Sequence, residues 1–312
     1  MTLSDFFINY STEQHCRDFF KNKREEKGII CKECKGTSQL WIAKQNRWQC
    51  RKCKYRTGLK YNTVMENSNL SYKVWLWGLF LMSLTKKGFS ALEMQRLIGH
   101  KRYEPIWLLM QKVRISMGKR DEKYVLDGFI EMDEGFFEGH RKKSQEDSGK
   151  PVKELDRQVK AVVAVSTTPI KEHEQKEHKP NTKAGYLKMS VVSSLSNNEV
   201  SYEVSKMISK SATVITDGRR CYSGLQQHCK SHEQIVVKDK KQISKMFPWV
   251  HTAISNVKKK LLGLHHQVND KYMQNYLNEF CYKFNRRNFG EDLFDRLIIA
   301  TMENAWYKPS VK

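Results

Sequence analysis

The chain has 312 residues, and 56 Lys+Arg against 34 Asp+Glu give it a formal charge of +22. At about 150 residues per domain there is room for two domains, or one large one with an appendage, and 39% hydrophobic residues argue against a wholly disordered polyelectrolyte. Residues 74–84, the longest apolar run, fall far short of the roughly 20 needed to span a bilayer, and residues 1–10 are mixed rather than leader-like, so neither a membrane nor a secreted protein is expected.

So large a positive surplus opposes compaction unless a polyanion neutralises it, which points to nucleic acid. Three regions differ in composition: 1–62, 63–120 and 121–312. In the first, Cys31/Cys34 and Cys50/Cys53 form two CxxC pairs. A two-residue spacer lets one turn offer two sulfurs, and four thiolates suit a tetrahedral Zn²⁺. The stretch between them reads as the short hairpin of a zinc ribbon, in which the ion substitutes for a core too small to hold itself together. Arg47, Arg51 and Lys52 either touch phosphates or form a solvated rim. The other four cysteines lack framework spacing, which favours a reducing compartment, the cytoplasm.

The second region reads as helices. Ser90, with Glu93 three residues on, caps a short helix over 90–98 whose apolar face includes Leu92, Met94 and Leu97. Gly99 makes a turn, and a longer helix follows over 103–117. That arrangement fits a helix-turn-helix with Lys101, Arg102, Lys112 and Arg114 as candidate DNA contacts, or an ordinary Gly-linked helix pair.

From 121 onward, strand-like and helix-like segments alternate. Strands are expected over 127–139, 158–167, 185–193, 212–217 and 234–238, with a charged loop over 139–156. Helices are expected over 199–209, 248–262, 270–285 and 291–306. This order implies an α/β domain with a mixed sheet flanked by helices. Two carboxylates are well placed in it: Asp133 on the first strand, and Asp217 at the C-terminal end of an apolar strand before Gly218. If those strands are neighbours the carboxylates converge, and Mg²⁺ or Mn²⁺ would relieve their repulsion. Two such ions about 4 Å apart would activate a nucleophile and stabilise a leaving 3′ oxygen.

The segments 131–139, 216–225, 251–263 and 276–287 resemble, in order, motifs of DDE-type insertion-sequence transposases, most closely the Merlin-related group. The resemblance implies an N-terminal zinc ribbon, an RNase H-like catalytic domain over 121–312, and Asp133 and Asp217 as the first two Mg²⁺ ligands. It implies Asn256 as the third, with Glu279 on the next helix competing for that place. Lys259 and Lys260 would then hold DNA phosphate near the metals, and His251 is a minor candidate. The implied protein is a transposase that binds terminal inverted repeats and performs Mg²⁺-dependent cleavage and strand transfer on double-stranded DNA. It would work at the bacterial nucleoid as a homodimer or higher oligomer. A non-catalytic DNA-binding regulator, or a domesticated transposase keeping the fold, is the alternative.

Overall fold

A computed structural model describes residues 2–140, 158–236 except 176 and 178, and 246–303 except 266. Residues 141–156 of the expected charged loop and the last residues of the expected strand 234–238 lie outside them, while Gly139 and His140, expected in that loop, end a strand. The chain divides into two compact units, one of residues 1–119 with 289–312 and the other of residues 120–288.

The first unit begins with α1 (Leu3–Asn9) and α2 (Glu13–Lys27), which the sequence reading did not anticipate although both carry N-terminal signals. Thr2 and Asp5 form a reciprocal capping box, and Thr12 caps α2. β1 (Gln39–Ile42), β2 (Arg47–Cys50) and β3 (Arg56–Gly58) make a three-stranded antiparallel sheet. It is braced by α2: Trp48 Nε1 donates to Glu25 at 3.0 Å, and Arg24 donates to the carbonyl of Leu59 at 2.9 Å.

Next come α3 (Tyr72–Leu84), α4 (Ala91–Ile98) and α5 (Tyr103–Asp121). Ser90 caps α4 as expected, and Gly99 ends it at φ 72°, a conformation that favours glycine. The α4 face differs from the expected one. Ala91 and Met94 are buried, while Leu92 and Leu97 are exposed, because a helix this short has one buried face and those two residues lie off it.

The C-terminal helix α9 (Leu293–Glu303) also belongs to this unit, not to the sheet-bearing one in which the sequence reading placed it. Phe294 packs on Phe6 and Phe80, and the Val64 N–H donates to the Thr301 carbonyl at 2.9 Å.

The second unit is built on β4 (Phe129–His140), β5 (Gln158–Pro169), β6 (Thr182–Val192), β7 (Thr213–Asp217) and β8 (Ser231–Ile235), in spatial order β6-β5-β4-β7-β8. β4, β5 and β6 are antiparallel neighbours, whereas β7 runs parallel to β4 and β8 parallel to β7. A short β9 (Val268–Asn269) pairs with the end of β4.

The period-2 alternation of β5 separates two cores. Val159, Ala161, Val163 and Val165 face α7 (Pro248–His265) and α8 (Asp270–Asn285), where Val250, Ile254, Met273 and Leu277 meet them. Val162 and Ala164 face the other way with Ile130, Met132 and Val214, against Val200 and Val204 of α6 (Asn197–Met207). This is the mixed α/β sheet flanked by helices that the sequence implied. Among the described residues no helix is long and apolar enough to cross a membrane.

Candidate active site

Parallel pairing aligns Phe129 with Thr213, Ile130 with Val214 and Glu131 with Ile215. Two residues further along each strand stand Asp133 and Asp217. Alternation sends both to the face that carries α7. Carboxylate oxygens of Asp133, Glu134 and Asp217 all lie within 4.8 Å of one another. The convergence of the two aspartates, expected only if their strands were neighbours, is therefore realised.

The cluster is held by groups the sequence reading passed over or left as supporting. Glu134 is buried; its carboxylate accepts from the Cys221 thiol at 3.0 Å and pairs with the Arg219 guanidinium at 3.0 Å. The same guanidinium lies 3.3 Å from Asp217, whose carboxylate also accepts the Arg219 N–H. One monovalent cation thus serves two carboxylates. Glu131, on the Asp133 side of β4, accepts the N–H groups of Trp249 and Val250 at 2.9 and 3.1 Å. Those are unpaired donors of the first turn of α7, so the carboxylate caps that helix and fixes it to the strand bearing Asp133. His251 follows directly, its Nδ1 3.6 Å from Asp133 Oδ2.

Burial raises the Glu134 carboxyl to about 7, with Asp133 adding to the shift and Cys221 and Arg219 opposing it. Burial also raises Asp217, again with a contribution from Asp133. The repulsion is thus incompletely relieved by Arg219, and a hard oxygen donor set of this kind suits a divalent cation such as Mg²⁺ or Mn²⁺. The Tyr222 hydroxyl and His251 Nε2, both buried, have no hydrogen-bond partner among the described residues.

A stability profile follows from Glu134. Below about pH 4.5 it is protonated folded and unfolded, and its contribution is fully present; that contribution is lost as pH rises through 7. Thermal denaturation without added divalent cation is expected to show the wild-type chain losing stability across this window. Glu134→Gln should lose less, and an unchanged slope would contradict the assignment.

The other predicted site residues are distributed differently. Asn256 is exposed. It lies five residues beyond His251, about 140° around the helix, on the flank shared by Trp249 and Lys260. That flank faces β6 and α8: Trp249 Nε1 donates to Thr182, and Lys260 pairs with Glu279. Glu279 is buried between Lys260 and Lys283, at 3.2 and 3.0 Å, so its charge is already matched, as is that of Lys260. Lys259 is exposed, and so is Lys258, which shares the flank of His251.

In the first unit the four cysteine sulfurs lie within 4.8 Å of one another. Cys31 and Cys53 are 3.5 Å apart, as are Cys34 and Cys50. This excludes disulfides and approaches the roughly 3.8 Å edge of a tetrahedron with Zn–S bonds of about 2.3 Å. The two turns repeat one backbone pattern. Lys35 N–H donates to the Cys31 carbonyl and Lys54 N–H to that of Cys50, with both lysines at positive φ. The donor set fits Zn²⁺ and a zinc ribbon.

Arg47, Arg51, Lys52, Lys101 and Arg102 are exposed. Lys112 and Arg114 are not: they are 2% and 1% exposed, and Lys112 Nζ donates to the Glu66 carbonyl at 3.3 Å. Their expected role as DNA contacts is corrected by that burial. A sequence signal was present, since apolar residues lie on all sides of α5, the mark of a buried helix.

Residues 125–285 match the ISXO2-like transposase domain family, just over half of the chain. The match begins just before the first strand of the sheet and ends with α8, so it takes in both aspartates and leaves the cysteine cluster outside. No curated protein matches the chain. Family and fold agree: the chain belongs to the ISXO2-like transposase family, among the DDE-type insertion-sequence transposases.

Proposed function

We propose that the protein cuts DNA at the ends of its element and joins the freed 3′ ends to target DNA, using Mg²⁺ or Mn²⁺. The meeting of Asp133 and Asp217 on one face of the sheet, inside the transposase domain, carries this reading. Asp133 and Asp217 would hold the cation, with Glu134 beside them. The bound metal supplies charge neutralisation for an in-line displacement at phosphorus. Water attacks first and the 3′ oxygen leaves; the resulting 3′ hydroxyl then attacks a target phosphate, displacing its 3′ oxygen. Catalysis of this kind is positioning and electrostatic stabilisation, which a rigid strand pair provides. Exposed Lys258 and Lys259 flank the path a phosphate backbone would take along α7.

End recognition belongs to the ribbon and the α4–α5 turn, where Arg47, Arg51, Lys52, Lys101 and Arg102 stand exposed. Joining two ends calls for at least a dimer.

The test is a DNA duplex carrying the element end, incubated with protein and Mg²⁺ or Mn²⁺ beside a supercoiled target. Nicking at the end and covalent joining to target support the proposal. Binding without either product under any metal condition supports a DNA-binding regulator, and cutting without joining supports a nuclease.

The charge of +22 makes a further expectation. A protein neutralising about 6–10 phosphates loses roughly 10³–10⁵ in affinity between 50 and 200 mM salt. Fluorescence anisotropy on the duplex should show a loss in that range; a flat response would exclude phosphate-dominated binding.

A further inference from the structure

The helix that follows the α4–α5 turn presents a short apolar surface where a basic one was expected. We infer that the first two turns of α5 read base edges in the major groove, with Leu108 against a thymine methyl group and Glu104 accepting from a cytosine amine. The inference deepens the reading of this turn as part of end recognition and rests on it.

The turn has the form that such a role requires. α4 is eight residues long, Gly99 ends it in the left-handed region, and residues 99–102 separate it from α5. Gln95 fixes the turn by donating from Nε2 to the carbonyls of His100 and Lys101, at 3.0 and 3.3 Å. In helix pairs of this kind the N-terminal residues of the second helix contact base edges while the first crosses the backbone.

Burial limits which residues of α5 can do so. Every residue over 109–114 is buried, so the accessible part of the helix stops at Leu108. Tyr103, Glu104 and Leu108 are exposed and Trp107 is half-buried. Spacings of three and four put these side chains on one helical face. At 1.5 Å per residue the face spans about 9 Å, the height of roughly three base pairs.

Charge selects DNA as the occupant. Lys86, Lys87, Arg96, Lys101 and Arg102 are exposed over the same stretch, against the exposed carboxylates of Glu93 and Glu104. These cations suit the phosphates on either side of a groove, where they carry no sequence information. None of them lies on the accessible face of α5, so guanine readout by Arg or Lys does not arise there. What the face offers is a hydrocarbon end, which matches the thymine methyl, and a carboxylate, which matches the cytosine amine. A carboxylate set among phosphates weakens binding unless such an amine meets it.

The experiment is a substitution scan on the DNA. In the duplex carrying the element end, each thymine is replaced in turn by deoxyuridine, which removes the methyl group and leaves the pairing edge unchanged. Fluorescence anisotropy with the full-length, zinc-replete chain is expected to show one or two adjacent positions losing about fourfold in affinity, the effect of one buried methyl. Leu108→Ala should bind the thymine and uracil duplexes equally at those positions. Glu104→Gln should lose the preference for a C·G pair beside them. Lys101→Ala should weaken every duplex alike, keeping the methyl dependence and lowering the salt slope by about one. Circular dichroism and zinc content check that each variant folds.

A flat scan in the wild type overturns the inference, whatever the variants do. So does methyl dependence that survives in folded Leu108→Ala. A Leu108→Ala chain with unchanged DNA binding and a smaller sedimenting species also overturns it, since the surface would then be a contact between copies. Cleavage and joining by a chain with a flat scan would sink the inference and leave the transposition reading standing. Methyl dependence without strand cleavage under any metal condition would do the reverse.

Discussion

Asp133→Ala and Asp217→Ala are each expected to lower metal-dependent strand cleavage by about three orders of magnitude, with binding to the element end retained. The expectation comes from geometry. The two carboxylates sit at matching levels of paired parallel strands and share one small volume with Glu134. Removing either takes away a negative oxygen that no neighbour can replace, because Glu134 is committed to Cys221 and Arg219. Three orders of magnitude correspond to about 4 kcal/mol of transition-state stabilisation, a reasonable share for one ligand of a metal-dependent phosphoryl transfer. Folding should survive. Both side chains are partly exposed, and losing a member of a repelling cluster relieves strain. The check is a single-turnover cleavage assay beside a binding titration on the same duplex. Cleavage within tenfold of wild type in either variant would remove that aspartate from the chemistry.

Loss of zinc should have an equally large effect at the other end of the chain. Structural Zn²⁺ contributes about 10–16 kcal/mol in small zinc-finger peptides, comparable to the whole stability of an ordinary domain. The strands it would staple are four, four and three residues long, and Trp48 is the large side chain buried among them. So small a sheet cannot replace the ion with hydrophobic burial. Cys31→Ser or Cys50→Ser should therefore abolish stoichiometric zinc, remove hydrogen-exchange protection over residues 39–58 and eliminate tight binding to the element end. The sheet-bearing unit should keep its protection. Unchanged protection of the ribbon after verified zinc removal would contradict a structural role for the metal.

What could be read from the sequence follows from how local each feature is. The two CxxC pairs carry their chemistry in their spacing, and the ribbon formed around them. The strands containing Asp133 and Asp217 announce themselves by period-2 alternation, and that alternation also decides which face each aspartate takes. Which helical side chain approaches the aspartates was not legible in the same way. Asn256, Glu279 and His251 lie within 29 residues on two amphipathic helices, and the choice among them depends on helix rotation. Rotation is set by contacts from remote segments, Glu131 on one flank and Thr182 and Glu279 on the other. Arg219 was missed for a similar reason: its role exists only once Glu134, 85 positions earlier, is brought beside Asp217. Lys112, Arg114 and Lys260 show the converse, since a positive charge in a basic chain reads as a DNA contact until burial or an acidic partner claims it.

The return of α9 to the N-terminal helices makes the sheet-bearing unit an insertion within the other. Damage to the tail is then damage to the front. A premature stop after residue 288 would leave every strand and both aspartates intact, yet strip Phe6 and Phe80 of the ring that covers them and Val64 of its backbone acceptor. On the proposed division of labour, a late frameshift would therefore impair the unit assigned to end recognition before the unit that carries the aspartates.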